Sequence, residues 1–144
     1  MITLPRLSTG EKDGQSVAQP RVAVVDDNEI NLAAYKRTLS RQGWYVDTFA
    51  SAAGLLAVLA SDPYRYDLII TDLAMKGLSG IELSTRIKKI RSNLPIILIS
   101  GHTRPSEQAL GASGVDRFLA KPFRALDLID MAVELIQQGD GNSQ

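Results

Sequence analysis

Three stretches of the chain are nearly unbroken runs of Val, Ile and Leu, lying within 22–26 (VAVVD), 67–71 (DLIIT) and 95–99 (PIILI). A strand with one wet face alternates apolar and polar residues, whereas a strand without that alternation is covered on both faces. Three such strands commit the chain to a parallel sheet with helices packed above and below. Two further runs, 45–49 (YVDTF) and 116–119 (DRFL), complete the strand candidates. Longer amphipathic stretches fill the gaps, at about 29–42, 52–61, 80–91, 105–112 and 124–138. Strand followed by helix, five times over, predicts a doubly wound α/β sandwich. With 144 residues, 44% of them apolar, the chain has the size and the core of one domain.

Local signals place the helix ends. Asn28 can cap the first helix and Ser51 the second, and Ser79 with Glu82 makes an S-x-x-E capping box for the third. Gly43 stands where the first helix wants a left-handed residue after its last turn. The fourth helix has the weakest pattern, because RPSEQALGASG is short and rich in small residues. Residues 1–20, rich in Ser, Gly, Pro and charge, read as a flexible leader or linker that ends at Pro20. Residues 139–144 read as a disordered polar tail, which leaves 21–138 as the folded domain.

Composition narrows the classes of function. Acids and bases balance at 16 each, so no global field favours nucleic acid or an acidic membrane. The absence of cysteine rules out disulfide and thiolate chemistry. The amino-terminal stretch lacks the apolar core of a signal peptide, and no later run is suited to spanning a membrane. The expectation is a soluble, cytoplasmic protein without direct nucleic-acid or membrane contact.

In doubly wound sheets ligands sit beyond the carboxyl ends of the strands, so the chemistry belongs at residues that immediately follow them. Asp26 and Asp27 close the first strand, Asp72 the third, Ser100 and Gly101 follow the fourth, and Lys121 comes just past the fifth. Taken singly each has a bland explanation: aspartate forms turns, serine caps helices, and a lysine before proline is usually solvated. Together they place three carboxylates, a hydroxyl and an ammonium on one rim. Clustered carboxylates repel and raise one another's pKa values. A divalent cation with a preference for oxygen removes that conflict. Mg²⁺, held by a few carboxylates, several waters and a phosphoryl oxygen, is the natural choice. With such a cation and Lys121 present, a carboxylate stays ionised and can attack phosphorus.

The ordered set VVDD, DLAMKGLSG, ISG and KPF resembles the receiver domain of two-component response regulators, over about residues 21–138. The resemblance implies a flavodoxin-like fold, five parallel strands in the order 2-1-3-4-5 with five helices. It makes Asp72 the aspartate phosphorylated by a partner histidine kinase or histidine phosphotransfer protein, yielding a 4-aspartylphosphate. Asp26, Asp27, Asp72 and the main-chain carbonyl of Ala74 would hold Mg²⁺, with Mn²⁺ as a substitute. Lys121 would pair with the phosphoryl group, Ser100 would hydrogen-bond it once attached, and Phe118 would be the aromatic switch beside Ser100. The Lys121–Pro122 bond is often cis in this family. The style of the DLIITDLAMKGLSGIEL segment is similar to receivers at the carboxyl end of hybrid histidine kinases. A receiver of this kind is no enzyme beyond its own phosphorylation and dephosphorylation, and weak homodimers are compatible with it.

Three positions depart from the commonest family pattern. Lys76 stands where proline usually follows the methionine, Ser100 replaces threonine, and Phe118 lacks the hydroxyl of the more usual tyrosine. None removes a group the reaction needs. In receivers the positions that Ala74 and His102 occupy flank the line along which hydrolytic water attacks, so the resemblance implies that both set the lifetime of a phosphoryl group on Asp72. His102, the single histidine, is more plausible in that role than as a phosphohistidine or a metal ligand. Two rival readings remain: a degenerate receiver used only for docking, and a haloacid-dehalogenase-like phosphohydrolase. The first would be marked by loss of Asp72 or Lys121, and the second needs D-x-D after the first strand and space for a cap.

Overall fold

The computed structural model describes residues 19–101 and 104–142. The leader up to residue 18, residues 102–103 (His102 among them) and the last two residues lie outside the described residues. Five strands, β1 (Arg21–Val25), β2 (Tyr45–Phe49), β3 (Leu68–Asp72), β4 (Ile96–Ser100) and β5 (Arg117–Ala120), alternate with five helices. The helices are α1 (Glu29–Ser40), α2 (Ala52–Ser61), α3 (Gly80–Ile90), α4 (Glu107–Ser113) and α5 (Ala125–Asn142). All strand pairs are parallel and their order is β2-β1-β3-β4-β5, the flavodoxin-like order. The order reverses beside β1, so the loops after β1 and β3 lie next to each other at one rim.

Period two along the strands divides the core in two. Val22, Val24, Leu68, Ile70, Ile97 and Ile99 pack on one face with Leu32 and Leu39 of α1 and Leu128, Ala132 and Leu135 of α5. Ala23, Val25, Ile69 and Ile96 pack on the other with Leu55 and Leu59 of α2 and Leu83 and Ile87 of α3. Burial on both faces is what the unbroken apolar runs require. The outer strands β2 and β5 are only partly covered, which is why their sequences are more polar.

The expected caps form. Asn28 accepts from the Asn31 N–H, Ser51 from Gly54, and Ser79 with Glu82 makes both bonds of the capping box. Every strand lies within one residue of its expected bounds. β1 ends at Val25 rather than Asp26, because Asp26 turns its carboxylate to the start of α1 instead of extending the strand. α1 stops at Ser40, short of the expected 42. The next three residues form a turn in which the Gly43 N–H returns to the Ser40 carbonyl at φ +87°. α4 spans Glu107–Ser113 on a Ser106 cap, starting later than the expected 105. α5 runs on to Asn142, past the expected 138, because its main-chain ladder carries through Gly139 even though the last buried side chain is Leu135.

Among the described residues no helix is long and apolar enough to cross a membrane.

Candidate functional site

The rim at the carboxyl ends of β1, β3, β4 and β5 gathers the residues singled out by the sequence. Asp72, the last residue of β3, lies with its Oδ1 3.3 Å from the Lys121 Nζ, and its side chain is only 12% exposed. Lys121 follows β5, and its N–H donates to the Ser100 carbonyl, which locks the lysine's backbone to the end of β4. A Cβ at Gly101 would stand 3.4 Å from the Lys121 Cδ, an ordinary van der Waals contact, so the lysine stem runs close past the end of β4. The Lys121–Pro122 peptide is cis.

Asp26 is 1% exposed and held by two donors of α1: the Asn28 N–H on Oδ1 at 2.9 Å and the Asn31 Nδ2 on Oδ2 at 3.1 Å. Asp27 is exposed, and its Oδ2 accepts the Lys76 N–H from the β3–α3 loop at 2.9 Å. The two neighbouring acids therefore face different surroundings. Among the described residues no three carboxylate, imidazole or thiol groups are drawn together closely enough to hold a metal ion as they stand. The expected trio of Asp26, Asp27 and Asp72 shares a rim, but Asp27 is turned toward residue 76. Ala74 is exposed in the same loop.

Burial pushes the Asp72 carboxyl above its ordinary value; Lys121 opposes that, and the charges of Asp26 and Asp27 add to it. Tyr35 of α1, which sequence reading missed, feels the same field. Its hydroxyl is pushed up to about 12 by burial and by Asp26 and Asp72. The ring stacks on Phe123 with centroids 6.4 Å apart and so closes the site between α1 and the β5–α5 loop. Nothing local in the sequence announces the charges across from it.

Gly80 opens α3 directly behind the aspartate. A Cβ there would stand 2.4 Å from the Asp72 carbonyl oxygen and 2.6 Å from Leu98, so only glycine lets α3 approach the Asp72 peptide. Ser100 is buried at 7% exposure at the end of β4. Phe118 pairs with Leu98, two residues before Ser100, and the Arg104 guanidinium lies 4.6 Å over its ring. His102 lies outside the described residues.

Three carboxylates and an ammonium thus lie on the rim where a doubly wound sheet binds its ligands. The chain belongs to the response regulator receiver domain family, which it matches over residues 22–133. It is 36% identical over 117 residues to the C4-dicarboxylate transport transcriptional regulatory protein DctD of Rhizobium meliloti (strain 1021), covering 80% of this chain and 25% of DctD. Its identity to the response regulator MprA of Mycolicibacterium vanbaalenii is 31% over 110 residues, covering 76% of this chain and 47% of MprA. The chain thus spans between a quarter and about half of the length of these relatives. A solved response regulator receiver domain protein from Clostridium thermocellum has a TM-score of 0.74 at 28% identity, covering 86% of this chain and 96% of that one. The expectation of no nucleic-acid contact gains no support here, since DctD is a transcriptional regulatory protein.

Proposed function

We propose that Asp72 accepts a phosphoryl group from the phosphohistidine of a partner histidine kinase or histidine phosphotransfer protein in a two-component relay. The observation that carries this reading is the nearly buried Asp72 carboxylate, 3.3 Å from Lys121 on the rim where ligands of such sheets bind. An Asp72 oxygen attacks phosphorus in line; the new P–O bond forms as the P–N bond breaks, and the electron pair leaves with the imidazole nitrogen. Lys121 neutralises charge on the equatorial oxygens throughout. The buried Ser100 hydroxyl then takes a phosphoryl oxygen, and Phe118 repacks toward it without needing a hydroxyl of its own. Ala74 and His102 govern how readily water reaches the product.

Mg²⁺, or Mn²⁺ in its place, fits the donor set. All the candidate ligands are oxygens, namely Asp26, Asp27, Asp72 and the Ala74 carbonyl. Burial holds the Asp72 carboxyl above its ordinary value, and Asp26 and Asp27 add to the rise, so a cation beside it would favour the ionised form. When bound, the cation offsets the charge that three carboxylates and a phosphoryl group bring together. The setting is the cytoplasm, where such kinases present their phosphohistidine. For the whole protein, a transcriptional output is favoured over the hybrid kinase, because DctD and similar relatives are longer transcriptional regulators.

Acetyl phosphate with Mg²⁺ should add one phosphoryl group to the parent chain, read by intact mass. Asp72→Asn should gain none, and equal addition to that variant refutes the assignment.

A further inference from the structure

We propose that the main-chain N–H of Lys76 is a latch on Asp27: it holds the carboxylate off the cation site, and binding of Mg²⁺ releases it. The inference rests on the metal reading given above and adds a positioning role for a residue outside the ligand set. The bond joins loops 49 residues apart in sequence, from Lys76 N to Asp27 Oδ2 at 2.9 Å. Asp26 is held by α1, the helix that follows it directly, and so stays where β1 and α1 put it. Asp27 is instead held from across the rim, by the main chain of an exposed residue in the β3–α3 loop.

The donor exists because residue 76 is not proline, which has no N–H to give. An N–H on a carboxylate oxygen is a charge-assisted bond that occupies a lone pair a hard cation would compete for. Binding of the cation and closure of the latch therefore oppose each other, and by linkage each weakens the other by the same factor. The Lys76 side chain is exposed and takes no part, so Lys76→Ala keeps the latch while Lys76→Pro deletes it.

Two measurements decide the matter. Amide hydrogen exchange by NMR on the parent chain should find the Lys76 N–H protected without cation and markedly less protected in saturating Mg²⁺. Mg²⁺ titration should give Lys76→Pro an affinity about fivefold tighter than the parent, with Lys76→Ala unchanged. A bond that served structure alone would not respond to the cation. Protection that persists in saturating Mg²⁺ overturns the proposal even if the proline variant does not fold, as does a proline variant no tighter than the alanine one. A parent that binds no Mg²⁺ while its Lys76 amide is protected removes the metal reading and the latch together; measurable affinity that ignores residue 76 removes the latch alone.

Discussion

The two rims of the sheet carry the same residue types and treat them in opposite ways. At the amino rim, Asp67 accepts the Arg21 N–H at 2.9 Å, and Asp116 accepts the Lys88 Nζ at 2.9 Å and the Ile96 N–H at 2.8 Å. Arg91 reaches the Tyr66 carbonyl at 2.8 Å. Charge there is answered by neighbours fixed in the same fold, and the product is a stapled end of the sheet. At the carboxyl rim Asp26, Asp27 and Asp72 stand against Lys121, and burial leaves the Asp72 carboxyl raised. At this rim Asp26 and Asp27 are held by hydrogen bonds from α1 and its cap and from the β3–α3 loop, while Asp72 faces the ammonium of Lys121. Under the proposed function, stability belongs to the amino rim and chemistry to the carboxyl rim, at some cost in stability there.

Substitutions sharpen that contrast, beginning with the largest effect. Lys121→Ala should slow phosphorylation by acetyl phosphate on the order of a hundredfold, since it removes the fixed cation facing the transferring group. Its thermal midpoint should move little, and a rate within twofold of the parent would break the division of labour. Gly80→Ala should cost about 2–3 kcal/mol in denaturant unfolding, because the added methyl meets the Asp72 carbonyl oxygen 2.4 Å away. An unchanged midpoint would mean that α3 can retreat from the aspartate. Asp116→Ala, at the amino rim, should cost about 1 kcal/mol through the lost Lys88 and Ile96 bonds, with phosphorylation at the parent rate. Loss of phosphorylation there would show the rims to be coupled.

The smallest effect concerns pH. The folded Asp72 carboxyl is raised above its unfolded value, so its increment to stability is present below the ordinary carboxylate range and lost as pH rises through the folded value. Asp72→Asn should therefore melt a few degrees above the parent near neutral pH, and the gap should close on acidification. A gap independent of pH would assign the effect to something other than charge.

Much of this was legible in the sequence, for reasons that differ by residue. Val22–Val25, Leu68–Ile70 and Ile96–Ile99 read as buried strands because burial on both faces leaves no room for alternation. The placement of Asp72 and Lys121 followed from the rule that sites lie past strand ends, and the 3.3 Å contact agrees with it. What could not be read were contacts whose partners are far apart in sequence and carried by the backbone or by exposed side chains. The Lys76 N–H on Asp27 has no side-chain signature, and Arg104 over Phe118 pairs two residues from separate elements. The end of α5 was placed too early because the polar run from 139 read as a tail, while the helix ladder needs no apolar side chain to continue.

The central claim is that the carboxyl rim directs a phosphoryl group to Asp72 and to neither of the acids beside β1. Treating the phosphorylated chain with borohydride reduces an aspartyl phosphate to homoserine, and peptide mass spectrometry then locates it. The account predicts homoserine at position 72 and unaltered aspartate at 26 and 27. Homoserine at either of those two positions, or at neither them nor 72 in a chain that has taken up phosphate, would contradict it.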